Sequence, residues 1–124
     1  MAARILYVDD DDDIREIAQM SLELEPGFEV RACASGREAL VEAAAWRPDL
    51  ILLDVMMPEM DGPETLRQLA ASTGTAEIPV VFITARTQTH EVQRYLEMGA
   101  VGTIAKPFDP MSLAGDVRKL LADR

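Results

Sequence analysis

Leu50-Ile51-Leu52-Leu53-Asp54 decides the fold: four apolar residues in a row, without polar alternation, closed by an acid. A strand with one wet face alternates apolar and polar residues. An unbroken apolar run is buried on both faces, which is the habit of a parallel sheet covered by helices. Outward from this stretch the same design recurs. Ile5-Leu6-Tyr7-Val8 runs into Asp9-Asp10, Val80-Val81-Phe82-Ile83 into Thr84, and Thr103-Ile104-Ala105 into Lys106-Pro107. If these runs are parallel strands of one sheet, their carboxyl ends share the edge at which ligands bind in open α/β folds.

Strands are expected at roughly 4–7, 29–33, 50–53, 80–83 and 102–105, with helices at roughly 12–24, 36–46, 63–71, 87–97 and 110–122. In the first helix Ile14, Ile17, Ala18, Leu22 and Leu24 are expected to form one buried stripe, and one of Asp11 to Asp13 to cap its start. Ser35-Gly36-Arg37-Glu38 is a capping-box pattern opening the second helix, whose Leu40, Val41 and Ala44 are expected to face inward. Pro63 suits a first helical turn, and Asp109 with Pro110 is expected to open the last helix. Gly27, Gly74 and Gly99 mark helix exits or turns. Five β-α units leave only short connections, and right-handed crossovers then favour a doubly wound sheet with helices on both faces. The whole of residues 1–124 is read as one domain, the size of a single core.

Composition narrows the function. A hydrophobic fraction of 48% indicates a globular chain, and a net charge of −10 argues against a general affinity for nucleic acid or anionic membranes. The single cysteine, Cys33, fits a reducing cytoplasm, and no stretch has the roughly 18 apolar residues that a membrane span needs. The expected class is an acidic, cytoplasmic protein.

In the flavodoxin-like order 2-1-3-4-5 the first and third strands are neighbours, and Asp9 and Asp10 would meet Asp54. Carboxylates brought together repel one another, and a divalent cation relieves them; magnesium needs only one or two, sharing its sphere with phosphate and water. Asp11 to Asp13 read as a solvated acidic turn. Asp54 is the candidate phosphoryl acceptor, since a carboxylate can form an acyl phosphate once the charges are neutralised. The competing reading, that Asp54 caps a loop or only helps to hold the metal, is nearly balanced on spacing alone. Thr84 can donate to a phosphoryl oxygen and Lys106 can pair with it as a point charge. Pro107 favours an extended backbone or permits a cis peptide, either of which could aim the lysine.

Taken together, Val8-Asp9-Asp10, Leu52-Leu53-Asp54-Val55-Met56-Met57-Pro58-Glu59-Met60-Asp61-Gly62, Ile83-Thr84-Ala85, Gly99-Ala100 and Lys106-Pro107-Phe108 resemble a response-regulator receiver domain of two-component signalling over essentially the whole chain. The resemblance implies the strand order 2-1-3-4-5. It implies that Asp54 receives a phosphoryl group from a histidine kinase or phosphotransfer protein. Magnesium would be held by Asp10, Asp54 and the backbone carbonyl of Met56, with Asp9 assisting through water, while Thr84 and Lys106 would contact the phosphoryl group. It also implies a switch and not a metabolic enzyme, with output through the face of the fourth helix, fifth strand and fifth helix. Kinase specificity is expected in the first helix and the loop after the fifth strand.

One position departs from the pattern the resemblance brings with it. Three residues before the lysine an aromatic ring is usual, and here stands Thr103. With no ring to rotate, the conformational change is expected in the loop after Thr84. Met56 and Arg86 offer no carboxylate or amide to orient an attacking water, so slow autodephosphorylation is expected. An aspartyl-phosphate phosphatase of the haloacid dehalogenase type is the enzymatic alternative, but Met56 stands where its second aspartate belongs. A degenerate binding module is the third, opposed by the intact acidic, Thr84 and Lys106 set. His90 reads as surface, Trp46 as packing, and Cys33 as a small buried hydrophobe. With the chain ending just after the fifth helix, output is expected through protein contacts, onward phosphotransfer or a phosphate-sink role.

Overall fold

A computed structural model describes residues 2–123. Strands and helices alternate: β1 (Ala3–Val8), α1 (Asp12–Glu23), β2 (Phe28–Cys33), α2 (Gly36–Trp46), β3 (Leu50–Asp54), α3 (Gly62–Ala71), β4 (Val80–Thr84), α4 (Thr89–Glu97), β5 (Gly102–Ala105) and α5 (Leu113–Ala122). All strand pairs are parallel, in the order β2-β1-β3-β4-β5. Every residue of β3 and β4 is buried, as their unbroken apolar runs require. Period-two alternation then divides the core into two layers. Leu6, Val8, Ile51, Leu53 and Phe82 pack with Ala39, Ala43, Leu66 and Leu69 on the side of α2 and α3. Ile5, Tyr7, Leu50, Leu52, Val81 and Ile83 pack with Ala18, Leu22, Leu113 and Val117 on the side of α1 and α5.

Helix starts follow their caps. The Asp11 carboxylate accepts from the N–H groups of Asp13 and Ile14. Ser35 Oγ accepts from Glu38 N, and Asp61 Oδ1 from Glu64 N, one residue before Gly62 and Pro63 open α3. Gly99, at φ 115°, takes the left-handed turn after α4 that side chains disfavour. Trp46 is packing, as expected, with the Arg4 and Arg31 guanidinium groups 5.7 and 4.6 Å from its ring centroid.

Three expectations need correction. Ile17 and Leu24 are not in the α1 stripe but 46% and 78% exposed, and Ile14 is only half-buried. At about 100° per residue, Ile14 and Leu22 lie about 40° either side of Ala18, whereas Ile17 and Leu24 lie about 100° and about 120° round the helix. Exposed Met20 falls on that outer face too. On α2, Val41 and Ala44 point to solvent, and Ala39, Ala43 and Trp46 form the buried side. The last helix begins at Leu113 and not at Pro110. Asp109 Oδ1 accepts from Met111 N at 2.8 Å, closing an Asx turn that competes with the helical conformation.

Candidate functional site

Register builds the site. Val8 pairs with Leu53, so the next residues along, Asp9 and Asp54, stand side by side at the carboxyl edge. Asp54 pairs with Ile83, one before Thr84, and Thr84 pairs with Ala105, one before Lys106. Asp9, Asp54 and Thr84 are buried, while Asp10 is exposed. One carboxylate oxygen from each of Asp9, Asp10 and Asp54 lies within 4.8 Å of the other two.

Lys106 bridges two of these acids. Its Nζ donates to Asp9 Oδ2 at 3.0 Å and to Asp54 Oδ2 at 3.1 Å, and the Lys106-Pro107 peptide is cis. Burial and the negative charge of Asp9 push the Asp54 carboxyl up to about 6, against the opposing pull of Lys106. Burial also works against the charge on Lys106, but the bonds to Asp9 and Asp54 outweigh it and raise its pKa. One ammonium therefore stands against three carboxylates, two of them buried. That charge deficit, the oxygen-only donor set and the opening to solvent past Asp10 fit a small hard divalent cation. The Thr84 hydroxyl accepts from Arg86 N at 2.9 Å and keeps its proton to donate. Met56 lies in the loop after β3 with its side chain 71% exposed.

Two contributors escaped the reading of the sequence. Arg15 of α1 donates to the backbone oxygen of Asp9 at 2.9 Å. Tyr7, fully buried on β1, donates its hydroxyl to Asp9 Oδ2 at 3.0 Å, and its ring meets Phe108 edge-on at 6.3 Å. A phenol inside an aliphatic run, two residues before an acid and so on its face of the sheet, was the available signal. His90 and Cys33 do not join the site: His90 is exposed on α4, and Cys33 is buried, where desolvation pushes its thiol up to about 12.

Residues 5–118 match the response regulator receiver domain family. The chain belongs to that family. The receiver is 42% identical over 121 residues to the DNA-binding response regulator MtrA of Mycobacterium tuberculosis, covering 98% of this chain and 51% of that protein. It is 44% identical over 121 residues to the response regulator MprA of Mycolicibacterium vanbaalenii, with 98% and 51% covered. The chain thus spans about half the length of the curated relatives it matches. Among solved structures, the chemotaxis response regulator CheY4 of Vibrio cholerae superposes with a TM-score of 0.88 at 33% identity, covering 97% of this chain and 99% of that one. The sheet order is the flavodoxin-like one that the resemblance implied. Receiver domains are signalling switches and not metabolic enzymes; they work with histidine kinases and bind Mg2+ at an acidic pocket. Among the described residues, no helix is long and apolar enough to cross a membrane.

Proposed function

We propose that this receiver accepts a phosphoryl group on Asp54 from a histidine kinase or phosphotransfer protein, in a magnesium-dependent reaction. The observation that carries the proposal is the buried Asp54 carboxylate, hydrogen-bonded to Lys106 and grouped with Asp9 and Asp10. With its pKa near 6, Asp54 is mostly ionised at neutral pH and can act as the nucleophile. A carboxylate oxygen forms the bond to phosphorus, the bond from phosphorus to the donor's imidazole nitrogen breaks, and its electron pair stays on that nitrogen. Lys106 Nζ then exchanges its bond with Asp54 for one with a phosphoryl oxygen, and the Thr84 hydroxyl donates to another. Asp10, Asp54 and the Met56 carbonyl would hold Mg2+, with Asp9 assisting through water. When bound, the cation supplies positive charge against the carboxylates and the transferring phosphoryl oxygens.

Phosphorylation shifts the population between two conformations. Thr103 is half-buried and has no ring to report the change. The hydrogen bond from Arg86 N to Thr84 Oγ1 ties the loop after β4 to the hydroxyl that meets the phosphoryl group, which supports that loop as the moving part. Structures with and without a phosphoryl mimic that superpose closely through residues 84–90 would refute this. Output runs through the face of α4, β5 and α5, where Leu96 and Val101 are 43% and 42% exposed. The kinase docks at α1 and the loop after β5, beside the exposed Ile17 and Met20. The domain acts in the cytoplasm, and its net charge of −10 opposes direct contact with nucleic acid.

Intact-protein mass after incubation with acetyl phosphate tests the reading. A gain of one phosphoryl group that requires magnesium and is absent in Asp54→Asn is expected. No gain in wild type, under conditions that label another receiver, would overturn it.

A further inference from the structure

We infer that Tyr7 is a positioning residue of the phosphoryl-transfer site, acting through Asp9 on the bound cation; the inference rests on the magnesium-dependent reading above. Tyr7 is fully buried, and its hydroxyl spends its one proton on Asp9 Oδ2 at 3.0 Å. The same oxygen receives Lys106 Nζ at 3.0 Å, and Asp9 Oδ1 receives Asp11 N at 3.0 Å. Three donors therefore fix the carboxylate in plane and in rotation. A carboxylate has about four acceptor sites, so one remains, on Oδ1, to reach a metal-bound water.

The hydroxyl also solves a problem that Lys106 creates. Lys106 is shared between Asp9 and Asp54, and it must leave Asp54 for the phosphoryl group. Held by Lys106 and Asp11 alone, Asp9 would be free to follow the lysine. The Tyr7 hydroxyl anchors it from the side of the core, and the ring is itself wedged against Phe108, two residues after Lys106. Removing the outer partner of a direct ligand typically costs about 10–100-fold in metal affinity, and with Asp9 reaching the cation through water the loss here is set at the lower end of that range.

Tyr7→Phe keeps the ring and removes only the donor. Calorimetric titration of the unphosphorylated protein with MgCl2 is expected to give an affinity about tenfold weaker than wild type. The magnesium concentration at half-maximal labelling by acetyl phosphate should rise by the same factor, with the rate at saturating magnesium changed much less. In an Asp9→Asn background the same substitution should add nothing further. The Tyr7 hydroxyl proton of wild type provides an arm that needs no variant: buried and bonded, its resonance should shift when magnesium is added. Unchanged magnesium affinity in Tyr7→Phe, a loss that persists in the Asp9→Asn background, or a hydroxyl resonance unmoved at saturating magnesium would each overturn the inference. Wild type that fails to label at all would instead overturn the magnesium-dependent reading on which it rests.

Discussion

Asp54→Asn should stabilise the protein when magnesium is withheld, although it destroys the proposed acceptor. The folded structure pushes the Asp54 carboxyl from 3.8 up to about 6, chiefly by burial and secondarily by the charge of Asp9. The shift is about two pKa units, and at 1.36 kcal/mol each this is about 3 kcal/mol. The sign follows from proton counts. Between pH 4 and pH 6 the folded state holds a proton on Asp54 that the unfolded chain has released, so wild-type stability falls as pH rises through this window and the loss is complete above it. Asparagine never ionises and avoids the loss. Urea unfolding in EDTA at pH 8 should therefore show Asp54→Asn more stable by about 3 kcal/mol, with the difference shrinking toward zero near pH 4. Magnesium should stabilise wild type by about 2.7 kcal/mol at one hundred times its dissociation constant, nearly closing the gap, and should do much less for the variant. A wild type equal to or more stable than Asp54→Asn at pH 8 in EDTA would refute the view that burial and Asp9 leave this carboxylate electrostatically strained.

The remaining predictions probe other parts of the same edge. Lys106→Ala leaves two buried carboxylates without their shared cation and should cost about 3 kcal/mol in EDTA at pH 8, read by urea unfolding; part of it should return as the pH is lowered, beginning above pH 6, because Asp54 takes up its proton at higher pH once Lys106 no longer favours its charged form. Gly62→Ala places a Cβ 2.6 Å from the Asp54 backbone oxygen and 2.8 Å from Val55 Cα. Neither neighbour is a pliable side chain, so a loss of about 1–3 kcal/mol in the unfolding free energy is expected, together with slower labelling by acetyl phosphate. Met56→Asn offers an amide to orient a water beside the acyl phosphate. One added hydrogen bond of about 1.4 kcal/mol in the transition state should speed autodephosphorylation about tenfold, and an unchanged decay of the phosphorylated mass would refute the idea that the lack of a water-orienting group at Met56 slows hydrolysis.

Tyr7 and Lys106 show how differently the site could be read from the sequence. Lys106 was visible because it closes an apolar run and precedes a proline, as Asp54 and Thr84 were visible by closing theirs. Tyr7 was hidden inside its run, where an aromatic residue is ordinarily core, and only the fold turns its hydroxyl onto Asp9. The helices show the same division. Ile17, Leu24 and Val41 have the spacing of buried residues, but an apolar residue does not record which side of its helix the sheet will occupy. The start of α5 was misplaced because Asp109 suits both an N-cap and an Asx turn, and the choice lies in the path the chain takes from Lys106 to Leu113.

By itself, the sequence determined the sheet, the alternation of strands and helices, and the acids, hydroxyl and lysine at one edge. Unbroken apolar runs demand burial on both faces, and the polar residues that end them must lie where burial stops. Only the tertiary structure decided who shares which partner: one lysine between Asp9 and Asp54, a phenol on Asp9, and a carboxyl on Asp54 that gives up its proton near 6 instead of 3.8. Those facts depend on ångström distances between residues up to 97 positions apart, and on how much water the packed chain excludes. Neither the separations nor the exclusion of water exists until the sheet has closed over both layers of its core.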